Sequence, residues 1–405
     1  MLLFQITDLL GVVKATCWQH EGGGVDIPLM DSRTATLKLS VYDPNVIEVK
    51  PLERMLKVFY NGHLEFWGVM LTPTWSSTAD GDPAVQINAH DPTIWWKKNN
   101  HRYGDRVLKG FPIDGRGLWQ LAESAIPLQE QLARGIPHPG IFFGTDESTH
   151  TGPKPADMQN PQPGDGLWSV ATRGQVVWET VQQLGEAIVG PEWDLRPVDA
   201  DHPGVTSTWQ PGYYCELNAW DQRGVDRSGD VIFHHGFGRN NLDGFEWTPD
   251  GNSVVNYQVE VYPGGEKNSG DTARRAMAHN EASWLKYGIY EGWESSNSKD
   301  PQNVLQAKAD LYVDTYSDPP DFITITPVAE NGTGDPAAEQ PYRYIDDFTV
   351  GDTIRAACKR GYMLVDVAAR VMKVSLAAAA SGQVKTTMDC VPDLTLGFDQ
   401  SDPGS

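Results

Sequence analysis

A chain of 405 residues exceeds the roughly 250–300 over which a single core grows, so two to four structural units are expected. Its 32 basic and 54 acidic residues leave a formal charge of −22. That balance excludes a protein held on phosphates by a basic footprint, and equally a polybasic membrane-surface protein.

Aromatic residues make up 10% of the chain, with 14 Trp, so it can bury a core and is not a disordered polyanion. Its 40 Gly and 28 Pro exceed the usual combined share of about 12% and point to many turns and short strands. No window reaches the roughly 18 apolar residues of a membrane helix. The opening MLLFQITDLLGVVK has no basic leader and is interrupted by Asp8, so no signal peptide is expected. Cys17, Cys215, Cys358 and Cys390 are scattered without a CxxC pair, which indicates neither a zinc site nor a disulfide framework. Synthesis in a reducing cytoplasm is the simplest expectation.

The first hundred residues read as strands. TATLKLSVYDP (34–44) alternates, with Leu37, Leu39 and Val41 on one face, and ends in a Tyr-Asp-Pro turn. In MLKVFYNGHLEFWGVML (55–71) two alternating apolar runs flank Asn61-Gly62, a dipeptide suited to a two-residue hairpin. PAVQINAHDP (83–92) adds another strand, and such strands are expected to close into a small barrel or sandwich. LWQLAESAI (118–126) has helical spacing and is stopped by Pro127. Residues 127–166 lack periodicity and mark a long surface excursion.

A second helix is expected over GQVVWETVQQLGEAI (174–188), with Val177, Val181, Leu184 and Ile188 at helical spacing. YYCELNAW (213–220), DVIFHHG (230–236) and SVVNYQVEVYPG (253–264) read as strands, the last alternating at Val255, Tyr257, Val259 and Val261. Residues 271–286 read as helix, NVLQAKADLYVDTY (303–316) more clearly so, and DFITITPV (321–328) as strand. Residues 351–392 form a last β-meander, and the end from Leu394 a frayed tail. The fold class is α+β, predominantly antiparallel β, with inserted helices and long loops.

The search for chemistry finds little. His234 and His235 are adjacent, so on a strand they point to opposite faces and cannot share one ion. His20, His63, His90 and His101 have no regular spacing, and HExxH is absent. GFGRNN (236–241) begins like a dinucleotide loop but lacks its third glycine and any βαβ context, so it reads as a turn. GxSxG is missing, and the cysteines read as buried and inert. Glu291, Glu294, Asp346 and Asp347 with the tryptophans offer a carbohydrate-binding or glycosidase alternative built on paired carboxylates. With 54 acidic residues, however, paired carboxylates arise by chance, and Trp67 and Trp178 sit at core positions. No catalytic, cofactor-binding or metal-ligating residue is assigned, and no cofactor is expected. The chain reads as a non-enzymatic structural subunit.

The strand pattern of the first hundred residues, the Tyr42-Asp43-Pro44 turn and LKVFYNGHLEFWGVML (56–71) resemble the opening barrel of siphophage tail hub proteins. In that family a hairpin of the form strand, polar turn, Phe-x-Gly-x-Val recurs, and Phe66-Trp67-Gly68-Val69 matches it loosely. WETVQQLGEAIVGPEWDLRPV (178–198) is similar to the family's helix-then-strand unit, and FEWTPDGNSVVNYQVEVYPGG (245–265) to the segment leading into a tube-domain strand. WLKYGIYEGWESSNSKDPQNVLQAKADLYVDTYSDP (284–319) resembles its Tyr-Gly…Glu stretch followed by a helix. GDTIRAACKRGYMLVDVAARVMKVSL (351–376) resembles its closing strands. The abundance of Trp and Asp is similar to that of minor tail proteins from phages of high-GC actinobacteria.

This resemblance implies a baseplate hub at the tail tip, a homotrimer whose two tube-like barrel domains per subunit make a ring continuing the tail tube. It implies the distal tail protein, the tape measure protein and tip or central fibre proteins as partners. DNA would pass only transiently through the lumen during genome ejection, and this chain would not insert into a membrane. The implied location is the tip of the virion tail. Three chains at −22 each would repel DNA from an acidic lumen and let it pass without sticking. The expected division is a β-barrel domain over 1–105, a helical and loop-rich insertion over 106–200, and a second β domain with inserted helices over 201–345. A meander over 346–392 completes a barrel, and 393–405 is a flexible tail.

Overall fold

The computed structural model describes residues 1–78, 81–98, 107–112, 140–143, 167–171, 176–185, 192–199, 201–203, 205, 214–220, 222–236, 239–264, 272–295, 302–328, 342–361 and 363–392. The helix expected over 118–126, the tail from 393, His101 and most of the excursion at 127–166 lie outside them; within that excursion only Gly140–Phe143 is described, as a strand.

The first eight strands are β1 (Leu2–Asp8), β2 (Val13–Cys17), β3 (Gly22–Pro28), β4 (Thr34–Ser40), β5 (Arg54–Tyr60), β6 (His63–Met70), β7 (Thr74–Thr78) and β8 (Gly81–His90). Helix α1 (Thr93–Lys98), strands β9 (Val107–Pro112), β10 (Gly140–Phe143) and β11 (Leu167–Ala171), helix α2 (Val177–Gly185), and strands β12 (Glu192–Val198) and β13 (Tyr214–Trp220) follow. Then come β14 (Ile232–Gly236), β15 (Arg239–Asn240), β16 (Leu242–Pro249), β17 (Tyr257–Tyr262), β18 (Arg274–His279), α3 (Glu281–Tyr287), β19 (Glu291–Ser295) and α4 (Gln302–Tyr316). The last strands are β20 (Asp321–Pro327), β21 (Thr353–Arg360), β22 (Met363–Ala379) and β23 (Val384–Pro392).

Most strand pairs are antiparallel, as expected; β10 with β13, β14 with β21 and β17 with β19 are parallel. The chain divides into two compact units, one of residues 1–245 with 325–405 and one of residues 246–324. It leaves the first along β16 and returns along β20, and these two strands pair with each other.

In the larger unit the sheet runs β3-β4-β8-β6-β5-β1-β2. The β5–β6 hairpin turns on Asn61 and Gly62, with φ 49° and 92°, the left-handed values that a two-residue turn requires. In β4, Ala35, Leu37 and Leu39 are buried while Thr36 and Lys38 face out, the period-2 pattern read from the sequence. Gly68 lets β6 approach β8, because a Cβ there would stand 2.2 Å from the His90 carbonyl oxygen. A core of Met55, Trp67, Val69, Trp96, Val177, Val181, Trp193, Leu195 and Leu217 joins this sheet to α1, α2 and the β10-β13-β12 sheet. Trp193 lies at its centre, edge-on to Trp96 at 6.0 Å and to Trp178 at 5.9 Å.

The long strand β22 organises the rest of this unit. Met363–Arg370 pair with β21, Lys373–Ala379 with β3, and Ala369–Ala378 with β23. Because β23 overlaps both neighbours, β21 and β3 must lie end to end along the opposite edge of β22. Between them the ladder with β23 slips at Val371–Lys373, where one extra residue makes a bulge. Before the bulge Val365, Ala368, Ala369 and Val371 are buried, and after it the buried positions are the alternate residues Val374, Leu376 and Ala378.

In the smaller unit β17 lies between β18 and β19, and α4 covers one face through Leu305, Ala309 and Val313. The helix expected over 271–286 is corrected here. Residues 274–279 form β18, and only 281–287 are helical, capped by Asn280. Arg, Ala and Met are good helix formers, but buried Ala276 and Ala278 alternate with outward residues and let α4 sit close.

Candidate functional site

Strand β12 carries Glu192 and Asp194 two residues apart, so both side chains leave the same face. They meet three arginines brought in from distant parts of the sequence. Arg33, 3% exposed, donates from Nη2 to Asp194 Oδ1 at 2.8 Å and Oδ2 at 2.6 Å, and from Nη1 to the Glu65 carbonyl oxygen at 2.8 Å. Arg223 Nη1 donates to Asp194 Oδ2 at 2.9 Å, and the guanidinium of Arg223 lies over Trp220. Arg370 grips Glu192 through Nη1 at 2.6 Å and Nη2 at 2.5 Å. It also donates to the carbonyls of Gly351 and Arg223, while Glu192 accepts the Arg223 backbone N–H at 2.7 Å. The Glu65 carboxylate stands 4.0 Å from Arg33 Nη1 and accepts from Tyr344 Oη at 3.3 Å.

Burial and charge act against each other here. Burial would raise the Asp194 carboxyl, but Arg33 and Arg223 outweigh it and hold the group at about 2. Glu65 is raised by its burial despite Arg33, and Tyr344 is raised well above its usual range by burial and the Glu65 charge. Asp91, which accepts from the Arg33 N–H at 2.9 Å and from the Thr93 N–H and hydroxyl, is pushed by burial up to about 6. Asp194 and Glu192 are matched to fixed arginines, so they act as a clamp joining strands. Local sequence gives no sign of it apart from the alternation of Glu192 and Asp194.

The positions singled out from the sequence stay apart. Glu291 and Glu294, three apart on β19, leave opposite faces of that strand, so they do not converge as a glycosidase pair. Asp346 is exposed, and Asp347 accepts the Arg343 N–H at 2.6 Å. His234 and His235 lie on β14, where His235 and Gly236 pair antiparallel with Asn240 and Arg239 of β15. Among the described residues, no three His, Cys, Asp or Glu converge as metal ligands, and no helix is long and apolar enough to cross a membrane. All four cysteines are buried; burial pushes Cys17 and Cys358 up to about 12 and Cys390 higher still. What the surface offers is contact area, with Trp18, Tyr42, Ile47 and Trp75 exposed in the larger unit and Leu285, Ile289 and Trp293 in the smaller.

No protein-family model matches the chain, and no curated protein matches it. Solved structures do. The tail protein from Neisseria meningitidis MC58 superposes with a TM-score of 0.58 at 11% identity, covering 97% of this chain and 97% of that one. The 43 kDa tail protein of prophage MuSo2 from Shewanella oneidensis gives 0.58 at 9% identity, over 97% of this chain and 98% of its own. Along nearly its whole length, this chain has the fold of these two tail proteins.

Proposed function

We propose that the chain is a structural protein of a phage tail, acting as the tail-tip hub. The observation that carries this reading is the end-to-end match with two tail proteins. In this reading three copies make a ring whose tube-like β domains continue the tail tube. The distal tail protein adjoins it on one side and tip or central fibre proteins on the other, with the end of the tape measure protein in the lumen. The formal charge of −22 per chain suits a channel through which DNA passes without adhering. Exposed aromatics and open strand edges suit a protein that is completed by its neighbours.

The test is electron microscopy of the purified chain, alone and co-expressed with neighbouring tail proteins, with the particle mass recorded. Rings with three-fold symmetry and three times the 44.7 kDa chain mass are expected. Monomers under both conditions refute the hub, and an electropositive channel refutes the proposed role of the charge.

A further inference from the structure

The two edges of the smaller unit's sheet are treated differently. On β18 the pairing with β17 leaves the carbonyls of Arg275 and Met277 pointing outward, and α4 covers both. Gln302 Nε2 donates to the Arg275 oxygen at 2.8 Å, and Gln306 Nε2, one helical turn later, to the Met277 oxygen at 2.9 Å. That edge is sealed by side chains.

On β19 the bond from Tyr257 N to Tyr290 O, 3.1 Å, sets the parallel ladder. Alternation then turns the N–H and C=O groups of Gly292 and Glu294 toward β17 and those of Glu291, Trp293 and Ser295 away from it. Among the described residues nothing pairs with this outer edge. The strand carries no proline, lysine or bulge, and what guards its edge is its five-residue length and the charges of Glu291 and Glu294. Trp293 is 66% exposed and steadied by the Arg275 guanidinium 5.5 Å from its ring centre. Glu291 and Glu294 are exposed at either side of it.

We propose that β19 is a docking edge for an extended, basic strand of another polypeptide, added antiparallel to Glu291–Ser295 through main-chain hydrogen bonds. Charge selects this occupant. A second copy of β19 laid antiparallel must set outward residue opposite outward residue, so Trp293 opposite Trp293 puts Glu291 against Ser295 and Glu294 against Gly292, with the two Glu294 on a diagonal of the seam and no cation among the four carboxylates. A strand with lysine or arginine opposite Glu291 and Glu294, and a β-branched residue beside Trp293, instead gains an ion pair on each face and an apolar contact. This inference is independent of the ring proposed above.

Amide hydrogen exchange on the full chain tests it, with the capped peptide Thr-Lys-Val-Thr-Lys-Val as probe and its Glu-for-Lys counterpart as control. At saturating basic peptide the outward amides of Glu291, Trp293 and Ser295 are expected to exchange about ten-fold more slowly, with no effect of the acidic peptide. The double substitution Glu291→Lys with Glu294→Lys, at exposed positions, is expected to reverse that preference. Absence of slowing over 291–295, or equal slowing by both peptides, overturns the proposal. Slowing that depends on protein concentration without peptide also overturns it, in favour of a second copy of the chain.

Discussion

Arg33→Met tests whether the buried clamp holds the larger unit together. The substitution keeps the length of the aliphatic stem but removes the guanidinium that is bound to both Asp194 oxygens and to the Glu65 carbonyl. Breaking a buried pair by removing one partner costs ~3–5 kcal/mol. Asp194 keeps Arg223 at 2.9 Å, which places the loss at the lower end, about 3 kcal/mol. The Asp194 carboxyl gives a separate figure: held at about 2 against an ordinary 3.8, its charge is favoured in the fold by about 2 kcal/mol. The two agree in size, and either is a large part of a typical stability of ~5–15 kcal/mol. Urea denaturation followed by tryptophan emission is a direct assay, since Trp193 adjoins Asp194 and sits at the core's centre. The double variant with Asp194→Leu should lose at least about 1 kcal/mol less than the sum of the two single losses, because an apolar pair no longer strands a charge. A loss below about 1 kcal/mol for Arg33→Met, the level of a surface ion pair, would refute the clamp, as would strict additivity in the cycle.

The acid groups should tilt stability in opposite directions. Asp91 stands at about 6 in the fold against 3.8, so its protonated form is favoured there and its contribution, complete below about pH 4, is lost as pH rises through 6. Asp194 contributes fully above about pH 4 and loses its contribution as pH falls through 2. Asp91→Asn should therefore narrow its stability difference from the parent chain as pH rises from 4 to 6, and Asp194→Asn as pH falls from 4 to 2. Urea midpoints across pH 2–7 check both, and parallel curves for parent and variant would contradict the assignment. Gly62→Ala meets no atom within 4 Å at its Cβ, so its cost should be the backbone's alone, about 1 kcal/mol for φ of 92°. A neutral result in the same denaturation assay would mean that the turn relaxes to another type.

The sequence was legible where a pattern is local. Asn61-Gly62 between alternating runs located β5 and β6 because that turn restricts φ at both its residues. Val177 and Val181 located α2, and Leu305, Ala309 and Val313 are the buried stripe of α4. Legibility failed at 271–286, where good helix formers take strand geometry because β17 offers a ladder and α4 needs small residues beneath it. The slip within 363–379 has no local sign either, since one extra residue between Val371 and Lys373 shifts the pairing with β23 and a single alternating reading cannot follow it. The clamp had no local sign, because Arg33, Glu65, Asp194, Arg223 and Arg370 are brought together by tertiary structure alone.

Bulge and clamp occur at the same place, and there is a physical reason. Arg370 is the last residue of β22 to pair with β21, opposite Thr353, and three residues later the same edge pairs with β3. Where one neighbour ends and the next begins, the edge has only isolated bonds, such as Gly351 N to Val371 O and Leu29 N to Met372 O. Apolar side chains could fill that gap but would not fix the direction in which β21 and β3 meet it. Arg370 does so, because its planar guanidinium is bound at once to the Glu192 carboxylate and to the carbonyls of Gly351 and Arg223, and only one arrangement of three segments satisfies all of them. Asp194 and Arg33 extend the same restraint to the segment that follows β3. The buried charges thus stand where hydrophobic burial is least able to choose between registers, which is where their desolvation cost is best offset by specificity.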